Sequence, residues 1–153
     1  MEAARGYLAR AGDALDEAAR EDIVAQIFAI LDDARFKPLF VEGSRAEVPV
    51  IGRLARGGLP PLLVSGQIDR LAVTADSVLI GDYKTNRPAP RTLAEVPTSY
   101  IRQLALYRAV LAPIYPGRDI RAALIWTDSS QLMDIPAASL DAAYSKIATL
   151  TSL

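Results

Sequence analysis

The sequence predicts an α/β fold, a mixed sheet flanked by helices, and three observations carry that prediction. Apolar residues recur at helical spacing in some segments and run or alternate as in strands in others. Two strand-like segments stand only two residues apart, the mark of a hairpin. Segments follow in the order helices, three strands, helix, two strands, helix, which suits helices layered on a sheet. At 153 residues the chain has the length of a single domain with a proper core.

Residues 2–11 and 18–34 are rich in Ala, Leu, Ile, Glu and Arg, and Ile23, Ile27, Ile30 and Leu31 recur at helical spacing. Two helices are expected there. RFKPLF (35–40) ends the second, with Pro38 as the breaker. AEVPVIGRL (46–54) reads as a strand, and Pro49 inside it marks an edge or a bulge. RGGLPP (56–61) reads as a loop. Strands are expected over 62–74 and 77–85, joined by Ala75-Asp76. Pro88, Pro90 and Pro97 make 86–97 a loop, and 100–111 is an amphipathic helix stopped by Pro113 and Tyr115-Pro116-Gly117. DIRAALIWT (119–127) is a mostly apolar strand, expected to be buried on both faces. A short strand over 131–135 and a helix over 136–150, with Pro136 near its first turn, complete the chain.

Composition narrows the chemistry. Seventeen Lys and Arg against eighteen Asp and Glu give a net charge of −1, which argues against a histone-like, charge-driven DNA binder. A nuclease stays open, because site carboxylates offset a local basic groove. With no Cys there is no disulfide framework and no thiolate metal site. With no His, the commonest general base, the usual zinc ligand and any Ser-His-Asp triad are gone. Hydrolytic chemistry would have to use carboxylates, Lys, Tyr or a hard metal ion. No apolar run of about 18 residues predicts a membrane span, and the N-terminus lacks a signal-peptide core, so a cytoplasmic setting is expected. The helical pattern begins almost at Met1, from which we expect an N-terminally truncated piece of a longer chain. No G-x-x-x-x-G-K-[ST] phosphate loop is present.

The hairpin carries the chemistry. Asp82 and Lys84 stand two apart on a strand and therefore share a face. A turn centred on Ala75-Asp76 pairs residues whose numbers sum to 151, which places Asp69 opposite Asp82 and Gln67 opposite Lys84. Facing carboxylates with Cβ atoms roughly 5 Å apart repel. A divalent cation would offset this, and oxygen ligands without His or Cys favour Mg²⁺ or Mn²⁺ over zinc. Lys84 would then sit beside the metal and a scissile phosphate. A one-residue slip would put Asp69 opposite Tyr83 and break the geometry. The bland alternative is a solvated strand face with a cross-strand ion pair. Against it, Asp82 follows the apolar run Val78-Leu79-Ile80, where charge needs a function or a partner.

GQIDRL (66–71), DYKTNR (82–87) and QLALYR (103–108) together resemble the motif series of the RecB-like branch of PD-(D/E)XK nucleases. The stretch YPGR…RAALIWTD…LMDIP (115–136) is similar to the C-terminal nuclease domain of AddA-type helicase–nucleases, and the resemblance covers roughly residues 40–145. It implies a restriction-endonuclease-like fold and a magnesium-dependent exonuclease acting on DNA in double-strand break repair. An AddB-like subunit and the helicase part of a longer chain would be the partners. It makes Asp69 and Asp82 metal carboxylates, the Tyr83 carbonyl a further ligand and Lys84 the catalytic lysine. Gln103 and Tyr107, which share a helix face, would contact DNA phosphate or orient Lys84; a half-buried Tyr capped by Gln is the plainer alternative. Glu47 matches an acidic position on the first core strand, as a metal or supporting group or as a plain surface Glu. The branch usually adds a metal-binding His on an N-terminal helix; this chain has none, so the site would be incomplete in it. A module that docks DNA or a partner without cutting is therefore the alternative function. Arg70, Arg87, Arg102 and Arg108 lie near the motifs and are candidates for DNA backbone contacts. Arg45, Arg53 and Arg56 read as solubilising, and Trp126 as core in preference to a base-stacking platform.

Overall fold

A computed structural model describes residues 2–11 and 15–150. The elements are α1 (Glu2–Ala11), α2 (Glu17–Asp32), β1 (Arg45–Arg56), β2 (Leu59–Val73), β3 (Ser77–Lys84), α3 (Thr98–Leu111), β4 (Asp119–Trp126), β5 (Gln131–Ile135) and α4 (Ala137–Ala148), with short 3₁₀ turns at Lys37–Phe40 and Leu93–Glu95. The strands form one mixed sheet in the order β1-β2-β3-β4-β5. The pairs β1–β2, β2–β3 and β4–β5 are antiparallel, and β3–β4 is parallel. The parallel pair follows from the sequence order, since α3 lies between the two strands and carries the chain back. This is the expected α/β architecture.

The two faces of the sheet are covered by different elements. Val64, Ile68, Val78, Ile80, Ala122, Leu124 and Trp126 pack with Leu104, Tyr107 and Val110 of α3 and Leu140 of α4. On the other face Ala72, Leu79, Ala123 and Ile125 pack with Ile30 of α2, with Phe36 and with Leu39 of the 3₁₀ turn that follows it. Strand β4 is apolar and buried from Ala122 to Trp126, because both faces are covered there. Asp82 and Lys84 have the parity of Val78 and Ile80, which turns them toward α3.

The second helix begins where Asp16 caps it, its carboxylate accepting a 2.8 Å hydrogen bond from Ala19 N. It ends at Asp32, earlier than the sequence suggested, and residues 37–40 form their own 3₁₀ turn. Residues 56–61, expected to be a loop, are instead the tip of a long β1–β2 hairpin. Gly57 and Gly58 take φ values of +40° and +91°, a tight turn that glycine supports, and β2 starts at Leu59. Pro60 and Pro61 are tolerated because the β2–β3 ladder begins only at Arg70, so nothing on that side asks for their missing N–H groups. Pro49 sits on β1, which is an edge strand as its presence suggested. Among the described residues, no helix is long and apolar enough to cross a membrane.

Candidate active site

The β2–β3 register is the one the turn arithmetic gives. Val73 pairs with Val78, Ala72 with Leu79, Leu71 with Ile80 and Arg70 with Gly81. Thr74 makes the two-residue turn workable: its N–H donates to the Ser77 carbonyl at 2.9 Å, and its hydroxyl accepts from Ser77 N at 3.1 Å. The ladder stops at Arg70–Gly81, however, so Asp69 and Asp82 are not a regular cross-strand pair and Gln67 is not paired with Lys84. Hydrogen-bonded pairs alternate along an antiparallel ladder, so after Arg70–Gly81 the Tyr83 N–H would meet the Ile68 carbonyl. It donates instead to Asp69 Oδ2 at 2.8 Å. The carboxylate has replaced a backbone acceptor, and the strands part there.

The same place shows why. Ile68 and Leu71 both belong to the core under α3, although three positions apart on one strand. The alternation of faces therefore slips between them. On β1, Ala46 pairs with Arg70 and Val48 with Ile68, which leaves Glu47 at the position across from Asp69 with φ at +52°. A left-handed residue inside a strand is costly for anything but glycine. Both strands turn over together at this point, so the β1–β2 register survives while the faces exchange.

Asp82 is 2% exposed, a buried carboxylate at the centre of the site. It forms an ion pair with Lys84 Nζ. Lys84 Nζ also lies 3.4 Å from Gln103 Oε1, and Gln103 Nε2 donates to the Tyr107 hydroxyl at 3.2 Å. That hydroxyl accepts from Gln67 N as well, at 3.2 Å. Gly66 leaves the room for it, since a Cβ there would stand 2.3 Å from the Tyr107 oxygen. The Gly of the first motif and the Tyr of the third thus meet across the sheet. Burial raises the Asp82 carboxyl above the usual range; Lys84 opposes this through its hydrogen bond and its charge, and the Asp69 charge adds to it. Burial also raises the Tyr83 phenol, with Arg70 opposing and Asp69 adding.

Other expected residues lie elsewhere. Arg70 is turned away: its guanidinium donates to the Leu39 carbonyl at 3.1 Å and Ser44 Oγ at 2.7 Å, and lies 4.8 Å from the Phe40 ring centroid. Its Nε and Nη2 tie the 3₁₀ turn and Ser44 to the sheet. Arg108 is likewise occupied, by the Ile120 carbonyl at 3.0 Å and Asp141 at 2.5 Å. Arg87 is exposed on the loop after β3 and pairs with Asp128 at 3.2 Å. Arg102 is exposed on α3. Glu47 is exposed, and among the described residues no three His, Cys, Asp or Glu side chains come together as a metal-binding group. Trp126 is fully buried core. The sequence reading did not single out Tyr100 and Asn86. Tyr100 stands three before Gln103 and seven before Tyr107, a spacing that already places it on the same helix face.

The donors suit a hard divalent cation. Asp69 and Asp82 offer oxygen donors only, and Mg²⁺ commonly binds through one or two carboxylates while keeping several waters. A buried carboxylate pushed toward its neutral form, with a second acidic charge nearby, is a place where a cation lowers the energy.

No curated protein sequence matches the chain. A solved structure described as "Crystal structure of SSO0001" shares 15% identity with it at a TM-score of 0.44, over 82% of this chain and 58% of that one. The chain thus spans less than two thirds of that protein. The family model of the PD-(D/E)XK nuclease superfamily matches residues 2–146, and with nearly the whole chain inside that match, the protein belongs to the PD-(D/E)XK nuclease superfamily.

Proposed function

We propose that the chain is a Mg²⁺-dependent deoxyribonuclease domain, the exonuclease of an AddA-type helicase–nuclease that trims DNA ends in double-strand break repair beside an AddB-like subunit. Nuclease activity in general follows from the superfamily, whose members generally use divalent metal ions. The observation that carries the reading is the connected row Asp82–Lys84–Gln103–Tyr107 beside Asp69. The motif series GQIDRL, DYKT and Q-x-x-x-Y supports the choice of branch.

Asp69, Asp82 and the Tyr83 carbonyl would hold the ion, which supplies charge to a phosphate oxygen and acidity to a bound water. Lys84 would present its ammonium to the charge developing on the phosphate. Gln103 fixes that ammonium from the helix side, and Tyr107 fixes the amide. Of the four arginines near the motifs, exposed Arg102, and exposed Arg87 once released from Asp128, would meet the DNA backbone.

Calorimetric titration with Mn²⁺ should give a signal in the parent and none in Asp82→Ala. Lys84→Ala should keep metal binding while losing cleavage of single-stranded DNA on the order of a hundredfold or more, as for other lost transition-state contacts. Equal metal binding by Asp82→Ala and the parent would overturn the metal assignment. Cleavage by Lys84→Ala within a few-fold of an active parent would make the lysine structural. A parent that binds metal and DNA without cutting would point to a docking module.

A further inference from the structure

We propose that Tyr100 is a positioning residue for Lys84, its ring face carrying the ammonium alongside Gln103; the functional part of this rests on Lys84 acting as read above. Lys84 Nζ lies 4.3 Å from the Tyr100 ring centroid, with the lysine side chain 14% exposed. At that distance a cation is attracted by the ring's negative face, more strongly where water is largely excluded. The ring is itself fixed from two directions. Its hydroxyl donates to Asn86 Oδ1 at 3.0 Å, and Asn86 stands on the loop two residues beyond Lys84. Trp126, fully buried and in register with Lys84 on the neighbouring strand, has its ring centroid 6.3 Å from that of Tyr100. One face of α3 thus presents two neutral partners to a single ammonium, an amide oxygen and an aromatic face.

The need for neutral partners follows from electrostatics. Asp82 is the carboxylate that pairs with Lys84. A divalent cation drawing on the same carboxylate weakens its hold on the lysine and repels the ammonium. Neither the Gln103 oxygen nor the Tyr100 face is neutralised in that exchange. Tyr100 therefore matters most when metal is bound.

The chain has three lysines, Lys37, Lys84 and Lys146, so the lysine ε-methylene region of a labelled sample holds few signals. In the Mg²⁺-loaded parent, one of them should be shifted upfield by a ring current and vanish in Lys84→Arg. Tyr100→Phe keeps the ring face and should keep that shift. Tyr100→Leu should bring the signal to the position of the exposed Lys37 and Lys146, with an unchanged far-UV circular dichroism spectrum showing that the fold persists. On single-stranded DNA, Tyr100→Leu should lower kcat roughly threefold to thirtyfold with KM nearly unchanged, the span of a desolvated cation–π contact. Tyr100→Phe should stay within about twofold of the parent, since the face remains. An unshifted Lys84 in the parent, or a shift that survives Tyr100→Leu, overturns the proposal. Because the spectroscopic arm needs no cleavage, a parent that does not cut leaves the proposal decided on the spectra and counts only against the nuclease reading. If Tyr100→Leu fails to fold, Tyr100→Met retains bulk without a ring and takes its place in both arms.

Discussion

Asp82 is almost wholly withdrawn from solvent, and burial outweighs its attraction to Lys84, so its carboxyl titrates above the usual range. The sign for stability follows. In the metal-free protein the group favours the folded state below the ordinary Asp range, and that contribution is lost as pH rises through the raised folded value. At neutral pH the ionised carboxylate is a cost that Lys84 offsets only in part. Asp82→Asn keeps the shape and removes the charge. Measured by urea unfolding in chelator at neutral pH, it should be at least as stable as the parent while losing Mn²⁺ binding. A loss of about 3 kcal/mol or more, the usual cost of breaking a buried ion pair, would mark Asp82–Lys84 as structural. The same residue shows why a functional carboxylate is legible as an anomaly: a strand that runs Val78-Leu79-Ile80-Gly81 does not bury a charge for packing.

At the scale of elements, α1 and α2 are joined by a two-pronged contact. Arg5 Nε and Nη2 donate to the two Glu21 oxygens at 2.7 and 2.8 Å, both side chains being about half exposed. The hydrogen bond from Arg5 holds the Glu21 carboxyl below its usual value. A depressed acid contributes stability above its unfolded value, and that contribution is lost as pH falls through the lowered folded one. Between pH 7 and the range below the ordinary Glu value, the Cα shifts of residues 2–11 should move toward coil before the sheet unfolds. Glu21→Gln should already show the acid-side shifts at neutral pH, and high salt should bring the parent toward them. Shifts indifferent to pH and to Glu21→Gln would show that apolar contacts alone hold α1. The β1–β2 hairpin is organised differently, by the turn-over at Glu47 and Asp69 that opens the ladder beside Tyr83.

Across the whole molecule, two cores lie on opposite faces of one sheet among the described residues, and the site belongs to only one of them. Phe36 is fully buried in the core formed by Ile30, Leu39, Ala72, Leu79, Ala123 and Ile125, while Lys84, Gln103 and Tyr107 stand on the face under α3. Phe36→Ala should cost about 3–5 kcal/mol, as for other buried phenylalanines, by urea unfolding. Well below the melting temperature, Mn²⁺ binding and the upfield Lys84 signal should remain those of the parent. Loss of metal affinity in the folded variant would show that the two faces are coupled through β3.

What the sequence determined by itself was whatever local pattern encodes. The helices, the strands and the turn at Ala75-Asp76 follow from periodicity and short-range chemistry, and with the turn came the register that brings Arg70 to Gly81. Asp82 and Lys84 shared a face because strand geometry leaves no alternative. RGGLPP (56–61) reads as a loop in the sequence, and only the sheet shows Gly57-Gly58 as a hairpin turn, with Pro60 and Pro61 tolerated where β2 has no β3 partner. Tertiary structure alone decided the rest. Arg70 is two residues from Ile68 yet serves the opposite face, because the alternation slips where Glu47 turns left-handed. Tyr100 meets Lys84 because α3 packs across β2 and β4, and Gly66 earns its place in the motif only when Tyr107 is seen standing over it. Contacts between residues far apart in the chain depend on how faces are covered, and burial is a property of the packed whole, which no local spacing records.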